Sequence, residues 1–259
     1  MLAQTQAARV AERFPLFMER FPDPDTLAAA PLFEVLESWS GLGYPRRARW
    51  LSESARRLVS EHGGEVPDRL EALMALPGIG EYTARAVLAF AFKQRFVPVD
   101  TNVARVLARA VAGSALDRPA TARLAAELAG ATADDFPLGL SLMDLGATLC
   151  RPTPHCERCP LSVEPAICRH YSSGGAGDPA ATTWGRSRRQ APFEGSDRQG
   201  RGRLLAAAAR GPLEKACLAV AAGWADDDER AARVADGLVA DGLLERDEAG
   251  ELARYRLPG

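Results

Sequence analysis

The chain has 259 residues, with 47% hydrophobic and 25% charged side chains and a formal net charge of −2. These are the proportions of a globular protein of one large or two smaller domains, and they exclude a collagenous or low-complexity chain. No apolar run reaches the roughly 18 residues that a membrane span needs. Residues 1–6 have neither a basic start nor an apolar core, so a secretory leader is not expected and the cytoplasm is the expected compartment. Charge is unevenly spread: residues 1–183 carry 19 basic and 21 acidic side chains, 184–210 carry seven and two, and 211–259 carry six and eleven. Lysine occurs only as Lys93 and Lys215.

Apolar residues recur at helical spacing through the first two thirds, which predicts helices at 2–21, 32–40, 45–62, 68–75, 81–92, 101–112, 120–130 and 137–149. Breakers separate them: Pro22-Asp23-Pro24, Gly41-Leu42-Gly43, Gly63-Gly64 and Gly113. None of these segments alternates with the two-residue period of a strand, so the domain is read as all-α. Residues 172–202, rich in Gly, Ser, Pro and Arg, read as a basic flexible linker. Helices follow at 203–210, 213–222 and 227–240, and the alternation over 243–257 around Asp247-Glu248-Ala249-Gly250 predicts a β-hairpin. Three helices and a hairpin suit a small winged-helix-like module, so the chain divides into 1–171, 172–202 and 203–259. The acidic tail favours packing or protein contact over a grip on DNA.

Two elements stand out within the helical region. Leu76-Pro77-Gly78-Ile79-Gly80 reads as a tight turn between helices, with Gly78 and Gly80 supplying backbone conformations that side chains forbid and Pro77 fixing the entry. Backbone N–H groups at the start of the following helix can seat a phosphate. Twenty residues after Gly80, Asp100 opens the next helix in Val97-Pro98-Val99-Asp100-Thr101-Asn102. Each element also has a plainer reading, a turn and a helix cap. Arg46, Arg47 and Arg49 form either a phosphate-binding patch or a solvated helix face.

Four of the five cysteines lie within nineteen residues: Cys150, Cys156, Cys159 and Cys168, spaced C-x5-C-x2-C-x8-C. In a cytoplasmic chain this indicates a metal site rather than a disulfide framework. Four thiolates suit Zn²⁺ or a 4Fe–4S cluster, and spacing alone leaves both open. Cys217, in an apolar stretch, reads as a buried small side chain.

In order and spacing, the hairpin, Asp100 and the cysteines resemble the helix-hairpin-helix base-excision DNA glycosylases over residues 1–171. The resemblance implies an all-α helix-hairpin-helix glycosylase domain whose hairpin, at Pro77, Gly78 and Gly80, meets the DNA backbone. It also implies a 4Fe–4S cluster held by Cys150, Cys156, Cys159 and Cys168, as in the endonuclease III and MutY types, on a loop whose Arg151, His155 and Arg158 face DNA. Against the family's usual cysteine spacing, the first gap is one residue shorter and the last three longer.

Two residues after the second hairpin glycine, the glycosylase–lyases place a lysine that forms a Schiff base with the sugar. Here that residue is Tyr82, and Lys93 lies eleven residues further on, which implies a monofunctional enzyme. Residues 1–6, Gly41-Leu42-Gly43-Tyr44, 76–84 and Met143-Asp144-Leu145-Gly146-Ala147 are similar to MutY-type adenine glycosylases. That similarity implies double-stranded DNA with A:8-oxoguanine or A:G mispairs as partner, and a monomer associated with the nucleoid of a bacterial cytoplasm. The similarity further implies that adenine is flipped out of the stack, that Gln4 and Tyr44 fill the gap with Thr5 and Arg46 among the DNA contacts, that Asp100 stabilises the oxocarbenium-like sugar, and that Tyr82 and Asn102 orient the site.

In this family the acid that protonates adenine is a glutamate two residues before the methionine matching Met1, and Glu12 and Glu19 do not match it. The expectation is therefore either a start upstream of Met1 or an impaired relative that binds lesions without cleaving. A thymine or uracil mismatch glycosylase is the rival enzyme. No Nudix-like segment is expected, and the stretch from Phe193 onward resembles the short C-terminal region of actinobacterial relatives.

Overall fold

The computed structural model describes residues 1–131, 135–163, 166–175, 177–185, 192–247 and 253–258, with 135–137 as backbone. In chain order its helices are α1 (Ala7–Arg20), α2 (Pro24–Ala29), α3 (Leu32–Ser38), α4 (Arg46–His62), α5 (Leu70–Ala75), α6 (Glu81–Phe90) and α7 (Thr101–Val106). There follow α8 (Arg118–Ala131), α9 (Asp135–Thr148), α10 (Arg169–Ser172), α11 (Asp197–Ala208), α12 (Leu218–Ala222) and α13 (Asp228–Ala240). The strands are β1 (Leu213–Glu214), β2 (Glu245–Asp247) and β3 (Arg254–Arg256). The fold is thus all-α up to the tail, as the periodicity predicts.

Packing groups the chain into two compact units that do not follow chain order: Met1–Pro67 with Leu76–Gly78 and Gln190–Gly259, and Asp68–Ala75 with Ile79–Arg189. In the first unit one apolar core runs through α1, α3 and the tail helices, joining Phe17, Phe21, Val35 and Trp39 to Leu204, Leu218, Leu238 and Leu244. Helix α2 lies where the sequence reads as a breaker. Asp23 accepts the Thr26 N–H at 2.7 Å, and Pro24 takes the first helical position, where a missing N–H is no loss.

In the tail, β1, β3 and β2 form an antiparallel sheet in that order, with Leu213 and Arg246 both opposite Tyr255. The expected hairpin is present as β2 and β3, while most of its turn lies outside the described residues. Residues 213–217 do not form the α-helix that the periodicity suggests. Leu213 pairs with the buried Tyr255, and a 3₁₀ turn over Lys215–Cys217 precedes α12. Because α12 buries Leu218, Ala219 and Ala222, Cys217 is left exposed, which corrects its reading as a core side chain.

In the second unit α7 continues as a π-helical turn, Leu107–Ala112, and packs its Val103, Val106 and Leu107 against α8 and α9. Gly146 of α9 permits this approach. A Cβ there would stand 2.7 Å from the Asn102 Cβ and 2.8 Å from the Asn102 carbonyl oxygen. Residues 178–185, within the stretch read as linker, are packed. Thr183 is buried and accepts the Leu116 N–H at 3.1 Å, and the Trp184 indole donates to Thr121 Oγ1 at 2.7 Å.

Candidate active site and cysteine centre

Asp100 sits at the N-cap of α7, so the plainer reading of this residue holds as well. Its Oδ1 accepts the N–H groups of Asn102 and Val103, both at 2.8 Å, and its Oδ2 accepts Asn102 Nδ2 at 3.0 Å. These three bonds fix a half-buried carboxylate in one orientation. Tyr82 stands in the first turn of α6, and burial, with the Asp100 charge behind it, holds its phenol above the usual range. Tyr82 therefore stays protonated, and the second unit brings Tyr82, Asp100 and Asn102 together. A groove of about 350 Å³ opens beside Tyr82, with Arg85 stacked on Phe96 and Arg118 on Trp184 along its wall.

Hydrogen bonds continue from Asp100 towards the cysteines. Arg105 donates to Asn102 Oδ1 at 2.8 Å, to the Gly146 carbonyl at 2.7 Å and to the Cys150 carbonyl at 2.6 Å. One turn later Arg109, 2% exposed, donates to the Arg151 and Pro152 carbonyls and meets Cys150 Sγ at 3.5 Å. It also binds both carboxylate oxygens of Asp178, at 2.8 and 2.6 Å. The Arg109 hydrogen bond holds the Asp178 carboxyl below its ordinary value. Sequence reading missed Arg105, Arg109 and Asp178. The available signal was two arginines four apart in an otherwise apolar helix, where burial demands partners.

Cys150, Cys156, Cys159 and Cys168 all line one small cavity, walled by Val106, Leu145, Leu149 and Leu161. Burial pushes the Cys150 and Cys156 thiols up, while Arg109 and Arg105 pull Cys150 back towards the thiolate. Among the described residues no group of three or more His, Cys, Asp or Glu side chains is placed to hold a metal ion. An all-sulfur donor set around a shared apolar cavity fits a larger thiolate-held group. Arg151 and Arg158 are exposed on this loop, and His155 lies 3.6 Å from Glu157.

The hairpin differs from expectation at one glycine. Gly78 has φ +73° and packs on Trp50, where a Cβ would approach the ring to 2.6 Å. The Pro77 carbonyl accepts Ser54 Oγ at 3.0 Å. Gly80, by contrast, has φ −88° and ψ 172° and caps α6 with open space around its Cα, so its conformation does not require glycine.

In the first unit Gln4 and Tyr44 both adopt left-handed backbone, at φ +63° and +48°. Thr5 Oγ1 donates to the Leu42 carbonyl at 2.7 Å, bringing their two segments together. The arginines beside them do not form an open phosphate patch. Arg46 pairs with Asp241 at 2.8 Å and stacks on Trp50. Arg49 binds Glu53 at 2.7 Å and the Asp241 carbonyl. Arg47 turns inward to backbone carbonyls. Sequence spacing reveals that three arginines share a region and says nothing of the carboxylate nearly two hundred residues away.

Residues 1–130 match the family of HhH-GPD superfamily base excision DNA repair proteins. An adenine DNA glycosylase of Mycobacterium tuberculosis (strain CDC 1551 / Oshkosh) is 43% identical over 268 aligned positions, spanning 100% of this chain and 83% of the relative. A thermostable thymine-DNA glycosylase structure superposes with TM-score 0.57 at 31% identity, covering 66% of this chain and 80% of that one. Endonuclease III trapped in a covalent intermediate with DNA gives TM-score 0.57 at 27% identity, covering 67% and 81%. The chain belongs to the HhH-GPD superfamily of base excision DNA repair proteins, among its MutY-type adenine DNA glycosylases.

Proposed function

We propose that this DNA glycosylase releases adenine mispaired with 8-oxoguanine or guanine, and does so by hydrolysis without forming a lysine adduct. The observation that carries the reading is a carboxylate at Asp100 held in one orientation by three hydrogen bonds, with a tyrosine at position 82, in the first turn of α6, where a lyase needs an amine. Lys93 lies eleven residues beyond Tyr82, past the end of α6 at Phe90, and its Nζ donates to the Phe90 carbonyl at 3.1 Å. Breaking the glycosidic bond builds positive charge on the sugar. Asp100 meets that charge without reorganising, because Asn102 and the α7 amides already fix its orientation. Tyr82 keeps its proton and donates towards the carboxylate or the sugar oxygens.

DNA is the partner. Gln4 and Tyr44 are the proposed wedges that fill the gap left by the flipped base, with Thr5 beside them at the DNA. Pro77, Gly78 and Gly80 present the hairpin to the backbone. Arg46 pairs with Asp241 through one terminal nitrogen, so its charge is shared between that carboxylate and the DNA backbone.

Cys150, Cys156, Cys159 and Cys168 would hold a 4Fe–4S cluster. When bound, it supplies a rigid, electron-rich anchor for the loop carrying Arg151 and Arg158. Iron and sulfide analysis of anaerobically purified protein is expected to give about four of each per chain, and stoichiometric zinc without iron would reject the cluster.

The test of function uses duplexes with adenine opposite 8-oxoguanine, guanine or thymine, alongside a G:T duplex. From a form extended upstream to include the family's adenine-protonating glutamate, the expected product is free adenine and an abasic strand that breaks only in alkali. Asp100→Asn is expected to remove that activity while retaining duplex binding. Trapping by borohydride would overturn the monofunctional reading. Mispair binding by the parent without base release would favour a non-catalytic relative, and thymine release from G:T would favour the mismatch rival.

A further inference from the structure

We infer that Arg47 is a positioning residue that locks two segments, residues 1–5 and 41–44, into one preorganised wedge. The inference rests on the reading of Gln4 and Tyr44 as the side chains that enter the duplex, and it adds what aims them.

Gln4 and Tyr44 are two of only three non-glycine residues with positive φ among the described residues. Such backbone persists only where the surroundings over-determine it. The same guanidinium stands at both places. It donates to the Ala3 carbonyl, which opens the peptide into Gln4, and to the Gly43 carbonyl, which opens the peptide into Tyr44, the latter at 3.0 Å. It also donates to the Met1 carbonyl at 2.8 Å, Thr5 Oγ1 at 2.7 Å and the Leu42 carbonyl at 3.1 Å. Four terminal N–H groups thus serve five oxygens drawn from two segments some forty residues apart.

The clamp itself has a rigid mount. Arg47 lies in the first turn of α4, and its N–H bonds the Tyr44 carbonyl at 2.9 Å. Its guanidinium lies over the rings of Trp39, at 5.3 Å, and Tyr44, at 5.6 Å. The Trp39 indole shares the Gly43 carbonyl at 3.1 Å, and Trp39 is anchored edge-on against Phe17. A planar fork is what this arrangement needs. Lysine keeps the charge but cannot reach both sets of carbonyls at once.

The consequence is functional as well as structural. Two wedges that are already aimed lose little freedom when they enter DNA. Loosening them leaves general duplex affinity intact and removes the preference for the mispair.

The experiment compares the parent, Arg47→Lys, and the double variant Gln4→Ala/Tyr44→Ala, with and without Arg47→Lys. Base flipping is read from the fluorescence of 2-aminopurine opposite 8-oxoguanine, and affinity is measured for mispaired and matched duplexes. Arg47→Lys is expected to retain matched-duplex affinity and to lower flipping and mispair preference about 10–100-fold, the usual scale for misplaced groups. In the double-alanine background, adding Arg47→Lys is expected to have no further effect, because nothing remains to be aimed. Thr5→Val deletes the cross-tie to Leu42, is expected to act in the same direction, and replaces Arg47→Lys if that variant does not fold.

An equal loss of matched and mispaired binding would overturn the inference and make Arg47 a structural residue only. So would unchanged flipping in Arg47→Lys, or an undiminished Arg47 effect in the double-alanine background. Intact flipping in Gln4→Ala/Tyr44→Ala itself would overturn the wedge reading beneath it, which separates the two failures.

Discussion

Replacing Asp178 by alanine tests whether the segment 178–185 secures the cysteine loop. Arg109 is buried, with its side chain 2% exposed, whereas the Asp178 side chain is 36% exposed. Removing one partner of a fully buried pair costs about 3–5 kcal/mol, while exposed pairs contribute about 0–1 kcal/mol. Here one end is dry and the other partly wet, and the Arg151 and Pro152 carbonyls still accept from Arg109 after the carboxylate is gone. The loss should therefore be about 2–3 kcal/mol, between the exposed and the buried ranges. For a chain of this size that corresponds to a fall in Tm of about 4–12 °C. The assay is thermal unfolding of parent and variant prepared anaerobically with matched iron content. Asp178→Asn, which keeps an acceptor, should recover part of the loss. A fall in Tm below about 1 °C for Asp178→Ala would refute the reasoning. It would mean that backbone carbonyls alone satisfy the buried guanidinium.

The same pair sets a pH dependence. The Asp178 carboxyl is depressed in the folded chain, first by the Arg109 hydrogen bond, so its stabilisation is complete above the ordinary carboxylate value and is lost as pH falls through the depressed one. Denaturant unfolding at about pH 6 and about pH 3 should show the gap between parent and Asp178→Ala closing in acid, and a constant gap would contradict this. Gly78→Ala forces a side chain into left-handed backbone against Trp50, and should cost about 2–4 kcal/mol in urea unfolding and weaken duplex binding. Gly80→Ala, where no contact and no unusual φ oppose a Cβ, should be nearly neutral for stability. Gly146→Ala pushes on Asn102, which orients Asp100; it should lower single-turnover adenine release by more than it lowers duplex affinity, and equal losses would argue against that route.

What could be read from the sequence was local. Helical periodicity placed α3, α4, α6, α8 and α9 within a few residues, because each buries one stripe of its own surface. Gly78 and Asp100 were identifiable because a left-handed turn and an N-cap are decided by neighbours in the chain. The cysteine spacing marked out the thiol-lined cavity for the same reason. Only the tertiary structure decided where the arginines go. The partners of Arg47, Arg49 and Arg109 lie dozens to nearly two hundred residues away, and a guanidinium bonding to carbonyls leaves no periodic trace. Composition marked 178–185 as linker, yet Asp178, Thr183 and Trp184 each meet a polar group that burial had left in need of a partner. Likewise, Leu213 begins a strand only because Tyr255 lies beside it. Turns, caps and apolar stripes are determined by adjacent residues, whereas the pairing of buried charge depends on which distant segments the core brings together.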